Sequence, residues 1–394
     1  MGPASRPSAG WARARPRLLD AIRSRNGVTR AELAALTGLS RSSVAAAVRE
    51  LLEDGVVAEQ AIPARGKGSG RGRPSSLLVP AAGRGLVGAL DLGHAHIGAA
   101  IADTDGVVLA EGRRPVAVDS RPAESIETAS GMLSDLLRTC ERTLDDVRVV
   151  TAGIPAPLDL RTHRPRSVLD EWRDVDLARE LGERLGRPTQ VANDAELGGQ
   201  GELRFGAARG LRDFVYVKAS EGVGASLVLD GEVHRGASGL AGEIGHVMLS
   251  ERGGMPCRCG NRGCLETVLS TNLIEERFRQ IATGPTDPVF PLRGLVDDVV
   301  MTTYVSESAR TLGRVLADLC NWLNPQAIII GGVLGTAGQP AVTGVTEAIA
   351  RFTTPLLREG LQVRAAELGL RSELLGAVAL ACRYAAGTPA PEPE

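Results

Sequence analysis

No run of about 18 uncharged apolar residues occurs in the 394-residue chain, which excludes a membrane-spanning helix. The opening residues, MGPASRPSAGWARARP, lack the apolar middle of a secretory signal, so a cytoplasmic location with no membrane partner is expected. Cysteine is scarce and unevenly placed, three of the six falling in CRCGNRGC. That is not the spread of a disulfide framework, and a reducing compartment leaves such thiolates available for a metal. Nor is the chain short of apolar residues. At 43% hydrophobic and 23% charged it can fill two or three domains with packed cores, which excludes disorder throughout. Only the end of the tail GTPAPEPE, residues 388–394, reads as disordered.

The net charge of −2 hides an asymmetry. Residues 1–83 hold 13 Lys and Arg against 6 Asp and Glu, a balance of +7 that leaves −9 for the remainder. A basic head on an acidic body is the layout expected when one end meets a polyanion. Within the head, Leu18, Leu19 and Ile22 give a first helix its apolar stripe, and Asn26-Gly27 ends it. Thr29 and Glu32 form a capping box for a short second helix, with Leu33 and Leu36 facing a core before Gly38 turns the chain. Ser40 caps a third helix that buries Val44, Val48, Leu51 and Leu52 and leaves Arg41, Ser42 and Ser43 outward near its start. This is a helix-turn-helix whose last helix suits a major groove. Two strands, VVAEQAIPA and LLVPA, follow, joined by RGKGSGRGRPSS. Arg71 and Arg73 in that loop, with Arg65 and Lys67, suit a minor groove and make the head winged.

From Leu86 onward, short apolar runs separated by glycines and helical stretches give the α/β pattern. GLVGALDLG and IGAAIAD read as a hairpin, and DFVYVKASEGVGASLVLDGEV repeats that build, which suggests two related lobes facing a cleft. In VANDAE, Asn193 and Asp194 end an apolar stretch and open a helix. They serve there as a cap or as acceptors for hydroxyl groups. His246 lies before Cys257, Cys259 and Cys264, and three sulfurs with one imidazole match the tetrahedral preference of a structural zinc.

The segments AGIPAPLD, VANDAE, LDGEVHRGASGLAGEIGHV, CRCGNRGCLE and IIIGGV resemble the ROK family of sugar kinases and sugar-responsive repressors. That resemblance implies a two-lobed, actin-like (ribonuclease-H-like) α/β ATPase fold behind the winged helix-turn-helix. The implied division is 1–83 for the head and 84–193 for a first lobe completed by a C-terminal helix at about 375–387. A second lobe, 194–374, would carry the zinc loop and a dimerisation surface. It also implies a sugar held by Asn193, Asp194, Glu243, His246 and Glu266, with Asp194 the general base in a kinase. Kinases of the family keep phosphate loops close to DxGGT and GTGxGxG, whereas this chain has DLGHAH and SEGVGAS. His94 and Ala95 replace the small Gly-Thr pair, Glu221 replaces a threonine and Ser226 a glycine. A carboxylate about 4 Å from a phosphate charge opposes it by about 4 kcal/mol at an effective dielectric near 20. The expectation is therefore a non-enzymatic repressor, a homodimer or homotetramer that reads operator DNA and answers a sugar or sugar phosphate. The alternatives are an ATP-dependent sugar kinase with a regulatory head, or an architectural DNA-binding protein.

Overall fold

The computed structural model describes residues 18, 21–22, 25, 27–53, 57–61, 76–80, 85–159, 162, 164–165, 170–250, 253–269, 271–282, 286–295 and 297–387. They divide between two compact units, one drawn from residues 1–85 and 384–391 and one from 86–383.

In the first unit, helix α1 (Arg30–Thr37) opens with the Thr29–Glu32 capping box. Glu32 accepts from the Thr29 amide at 2.7 Å. Gly38 closes α1 in the left-handed conformation at φ 69°, which a side chain adopts only with strain. Ser40 accepts from the Ser43 amide at 3.1 Å and so caps helix α2 (Arg41–Glu53). Strands β1 (Val57–Ala61) and β2 (Ser76–Pro80) pair antiparallel as the base of a wing. Leu18, Ile22, Leu33, Val44, Val48, Leu51, Val57 and Leu78 form one core, while Arg41, Ser42 and Ser43 are exposed. Leu36, expected inward, is 44% exposed instead. One short helix offers a single buried stripe, and Leu33 fills it. Arg71 and Arg73 lie outside the described residues, as does the tail 388–394.

The second unit holds two five-stranded sheets of one topology. Strands β3 (Leu86–Leu92), β4 (His96–Asp103), β5 (Val108–Pro115), β6 (Val147–Ile154) and β7 (Thr189–Asn193) stand in the order β5-β4-β3-β6-β7. Strands β8 (Phe214–Ala219), β9 (Val223–Leu229), β10 (Glu232–His234), β11 (Ala327–Gly331) and β12 (Gln362–Ala365) stand as β10-β9-β8-β11-β12. In each, a central strand pairs antiparallel with its hairpin partner and parallel with a later strand. The parallel strands arrive after helical connections, which include α3 (Pro122–Thr139) and α4 (Leu177–Leu185) in the first lobe. The two lobes keep separate apolar cores.

Helix α5 (Asp194–Phe205) follows β7 directly, and its GGQG run explains itself by packing. A Cβ on Gly198 would lie 2.3 Å from the Tyr216 ring, and one on Gly201 would lie 2.3 Å from the Ser372 carbonyl. Helices α6 (Thr271–Ile281), α7 (Val299–Leu323) and α8 (Gln339–Phe352) belong to the second lobe. There Gly313 meets Ala348 and Gly344 meets Ala309, so α7 and α8 cross closely. The last helix, α9 (Ser372–Ala385), starts and ends earlier than the expected 375–387. It packs on both lobes of the body. Its Leu374 approaches Gly98 of β4, while its Gly376 fits against the Leu197 carbonyl of α5. Residues 384–387 group with the first unit. Among the described residues no helix is long and apolar enough to cross a membrane.

Candidate ligand cleft and metal cluster

An open cleft lies between the two sheets. From the first lobe come His94, Pro155, Ala156, Pro157 and Asn193; from the second come Lys218, Gly222, Glu243, His246, Arg258 and Glu266, with Asp194 at the junction. The five side chains that the resemblance implied for a sugar, Asn193, Asp194, Glu243, His246 and Glu266, thus share one cleft.

Their positions follow from local chemistry. Asn193 caps α5 by accepting from the Glu196 amide at 3.1 Å, and its Nδ2 donates to the Ala156 carbonyl at 3.2 Å. An amide has two N–H donors, so one is left for a ligand. Asp194 is buried at the first turn of α5, where Oδ1 accepts from the Ala195 amide at 2.7 Å and Oδ2 from Lys218 Nζ at 2.5 Å. The loop bearing Glu243 and His246 is pinned to α5 by Arg235, whose Nε donates to buried Glu196 at 2.9 Å. Gly242, at φ 95°, and Gly245 flank Glu243 because Cβ atoms there would strike the Ala225 and Val223 carbonyls at 2.0 and 2.3 Å. Those two close approaches set the 3-10 turn Ile244–His246 against β9.

His246 faces two ways. Its Nε2 lies 3.7 Å from Glu243, and its Nδ1 lies 3.5 Å from Cys257 Sγ. Among the described residues the potential metal-holding group is His246, Cys257, Cys259 and Cys264, with ligand atoms all within 4.8 Å of one another. A tetrahedral ion bonded at about 2.3 Å to sulfur and about 2.0 Å to nitrogen separates its sulfurs by about 3.8 Å and sulfur from nitrogen by about 3.6 Å. The Cys259 and Cys264 sulfurs are 3.7 Å apart. The cluster therefore fits a four-coordinate metal, and its Glu266 neighbour accepts from Arg258 Nε at 3.3 Å. The cluster and the cleft share His246 directly and Glu266 through Cys257, whose Sγ lies 3.3 Å from Oε1.

Electrostatics divide the cleft groups. Burial, with Asp194 and Glu266 nearby, pushes Glu243 up to about 7 against the opposing pull of Arg258. Burial alone would depress the Lys218 ammonium, but Asp194, Glu373 and Asp91 outweigh it and hold the lysine charged. Sequence reading missed Lys218 and Arg258. The visible signal for Lys218 was one charge inside the apolar strand FVYVKA.

The two glycine turns differ. In the first, His96 Nε2 lies 2.9 Å from Asp91, and a Cβ on Gly93 would sit 2.2 Å from the His96 ring. His94 Nδ1 is 2.8 Å from Asp119, and His94 lines the cleft. The histidines fill the turn. In the second turn Glu221 is exposed, absent from the cleft lining, and raises the carboxyl of Glu275. The expected opposition of Glu221 to a phosphate is thus not carried by this geometry. Glu221 stays outside the lining, and the charges that face the cleft from this lobe include Lys218, Glu243, Arg258 and Glu266.

Comparison with known proteins agrees with this architecture. Residues 87–383 match the ROK family, and residues 13–58 match a winged helix-turn-helix DNA-binding domain. The chain belongs to the ROK family. It is similar to the xylose repressor of Bacillus spizizenii, 25% identical over 91% of this chain and 92% of the repressor. It is also similar to a glucokinase of Halalkalibacterium halodurans, 29% identical over 73% of this chain and 92% of the kinase. Among solved structures, a ROK family transcriptional regulator described as a homolog of the Escherichia coli MLC protein superposes with a TM-score of 0.73. That pair is 22% identical and covers 96% of this chain and 97% of the other, which fixes the shared fold.

Proposed function

We propose that this ROK chain is a cytoplasmic, sugar-responsive transcriptional repressor that binds its sugar without phosphorylating it. The observation that carries the sensing role is the Lys218–Asp194 pair at 2.5 Å. A carboxylate held by an amide and an ammonium keeps lone pairs for hydroxyl hydrogen bonds, and in the sensing role Asp194 is that acceptor. Asn193, Glu243, His246 Nε2 and Glu266 complete a set that can bracket vicinal hydroxyls, and a site built on such partners rejects ligands that lack them. Zinc suits the three-sulfur, one-imidazole cluster and would hold His246 and the short helix bearing Glu266 in place. The head supplies Arg41, Ser42 and Ser43 to a major groove, with Arg71 and Arg73 on the wing. Two such heads in a homodimer or homotetramer would meet paired operator half-sites, and a sugar that prefers one lobe arrangement shifts operator affinity only by its differential binding.

The kinase reading is favoured by glucokinase relatives such as the one at 29% identity, but that match covers 73% of this chain against 91% for the repressor. A panel of sugars and sugar phosphates, screened by melting temperature and then by operator gel shift, separates the two. A ligand that stabilises the protein and changes operator affinity, with no ATP consumption, is expected. Hexose-dependent ATP turnover abolished by Asp194→Asn would overturn the sensing role.

A further inference from the structure

A charged meeting point in the cleft lies outside the hydroxyl-binding set. A Cβ on Gly222, in the turn between β8 and β9, would lie 3.1 Å from His94 Nε2 and 3.2 Å from Arg258 Nη2. Two basic nitrogens, one from each lobe, thus converge on the bare face of a glycine. They are no more than about 6 Å apart, a gap that one two-oxygen group spans with a hydrogen bond to each. A side chain at Gly222 would close that gap.

Both nitrogens are presented by groups anchored behind them. Asp119 lies 2.8 Å from His94 Nδ1, and because a carboxylate only accepts, that nitrogen carries a hydrogen while Nε2 faces Gly222. Glu266 accepts from Arg258 Nε at 3.3 Å, which leaves the Nη groups of the guanidinium for a ligand. His94, Gly222 and Arg258 all line the cleft. The lining is thereby divided in kind. Asp194, Glu243 and Glu266 offer acceptor oxygens to hydroxyl groups, whereas the Gly222 corner offers charged N–H donors once the His94 ring holds both its protons. A ligand that matches both ends carries hydroxyls on one side and an oxyanion on the other.

The local charge balance decides which oxyanion. Lys218 is paired with Asp194, Arg258 with Glu266 and His94 with Asp119, at 2.5, 3.3 and 2.8 Å. Each of these basic groups already has a carboxylate, and Glu243 adds another to the described lining. That leaves little to balance a phosphate monoester, which brings a charge of about −2. A carboxylate brings one negative charge on two coplanar oxygens, the shape a guanidinium fork matches. We propose that the Gly222 corner is a carboxylate subsite formed by Arg258 and His94, and that the effector is a sugar acid, a hexuronate or an aldonate. The inference rests on the sensing role above and names the class of ligand sensed.

Calorimetric titration of the full-length protein near pH 7 tests it. Glucose, galactose and mannose are each set beside the matching uronate and 6-phosphate, with gluconate as the aldonate probe. At least one acid is expected to bind more than about tenfold tighter than its parent sugar and the matching phosphate. Gly222→Ala sets a methyl between the two nitrogens, in a turn that bears no metal ligand, and should bring that preference to within about twofold. Arg258→Gln and His94→Gln should each lower the preference, Arg258→Gln more, because it removes a permanent charge; these two decide the matter if Gly222→Ala melts abnormally. A preference for the acid that survives the substitutions overturns the subsite. So does a parent sugar that binds as tightly as its acid, or a 6-phosphate that binds more tightly; in both cases a sugar ligand has bound, and the sensing role is untouched. Absence of binding by every one of these compounds counts against the subsite and the sensing role together.

Discussion

The two sheets of the body share a strand order, and each brings its first hairpin turn to the cleft, yet the turns are built to different ends. In the first lobe the turn is filled by His94 and His96, and buried Asp91 is paired with His96 at 2.9 Å. In the second lobe Gly222 and Gly224 keep the backbone open to the cleft, but the strand leading into the turn supplies Lys218, paired with Asp194. In the sensing role proposed above, one topology is turned from nucleotide chemistry by two routes, steric filling on one side and charge pairing on the other. In both lobes a buried carboxylate is matched by a side-chain nitrogen close by.

The largest effect should come from breaking the second pairing. Lys218→Met removes a cation whose side chain is only 13% exposed and leaves Asp194, 9% exposed, uncompensated. Breaking a buried ion pair from one side is destabilising by about 3–5 kcal/mol. Urea unfolding should show a loss of that size, whereas His96→Ala in the first turn, facing a half-buried ring, should lose less. Equal losses would mean that the two routes are not distinct.

A smaller effect sharpens the chemistry of the open side. Folding raises Glu243 from its ordinary 4.5 to about 7, so the folded protein keeps a proton that the unfolded chain gives up. Its contribution to stability is therefore complete below about 4.5 and erodes as pH rises toward about 7. Sugar binding should run the other way. A hydroxyl that donates to Glu243 favours the carboxylate, so affinity should be level above about 7 and fall toward tenfold per unit below it. Titration calorimetry from pH 8 to about 6 should show a loss of about tenfold, flattened in Glu243→Gln.

Much of this site was legible in the sequence wherever a short spacing carries the geometry. Thr29 with Glu32, Ser40 before α2, and His246 with its three cysteines are arrangements in which the chain cannot easily put the groups anywhere else. Lys218 was not legible, because its partner Asp194 lies in another element and only the meeting of β8 with α5 makes the pair. Leu36 shows the same limit in the head. The helical period places it near Leu33, but a short helix buries a narrow stripe, and the period does not say which edge of the stripe is wet.

Glu221 gives the smallest effect and the clearest separation of sequence from geometry. By position it replaces a phosphate-loop threonine and would oppose a nucleotide by charge. By direction it is exposed, and the group that feels it is Glu275. Glu221→Thr should therefore not create ATP binding, since Lys218, Asp194 and the filled first turn are untouched. Stability should change by no more than about 0.5 kcal/mol, with a slight gain as Glu275 loses a like charge. Binding of a non-hydrolysable ATP analogue, followed by calorimetry beside a melting curve, checks both halves. Measurable nucleotide affinity in this single variant would show that the second turn alone had been holding the triphosphate out, and the pairing at Asp194 would then lose its place in the sensing role proposed above.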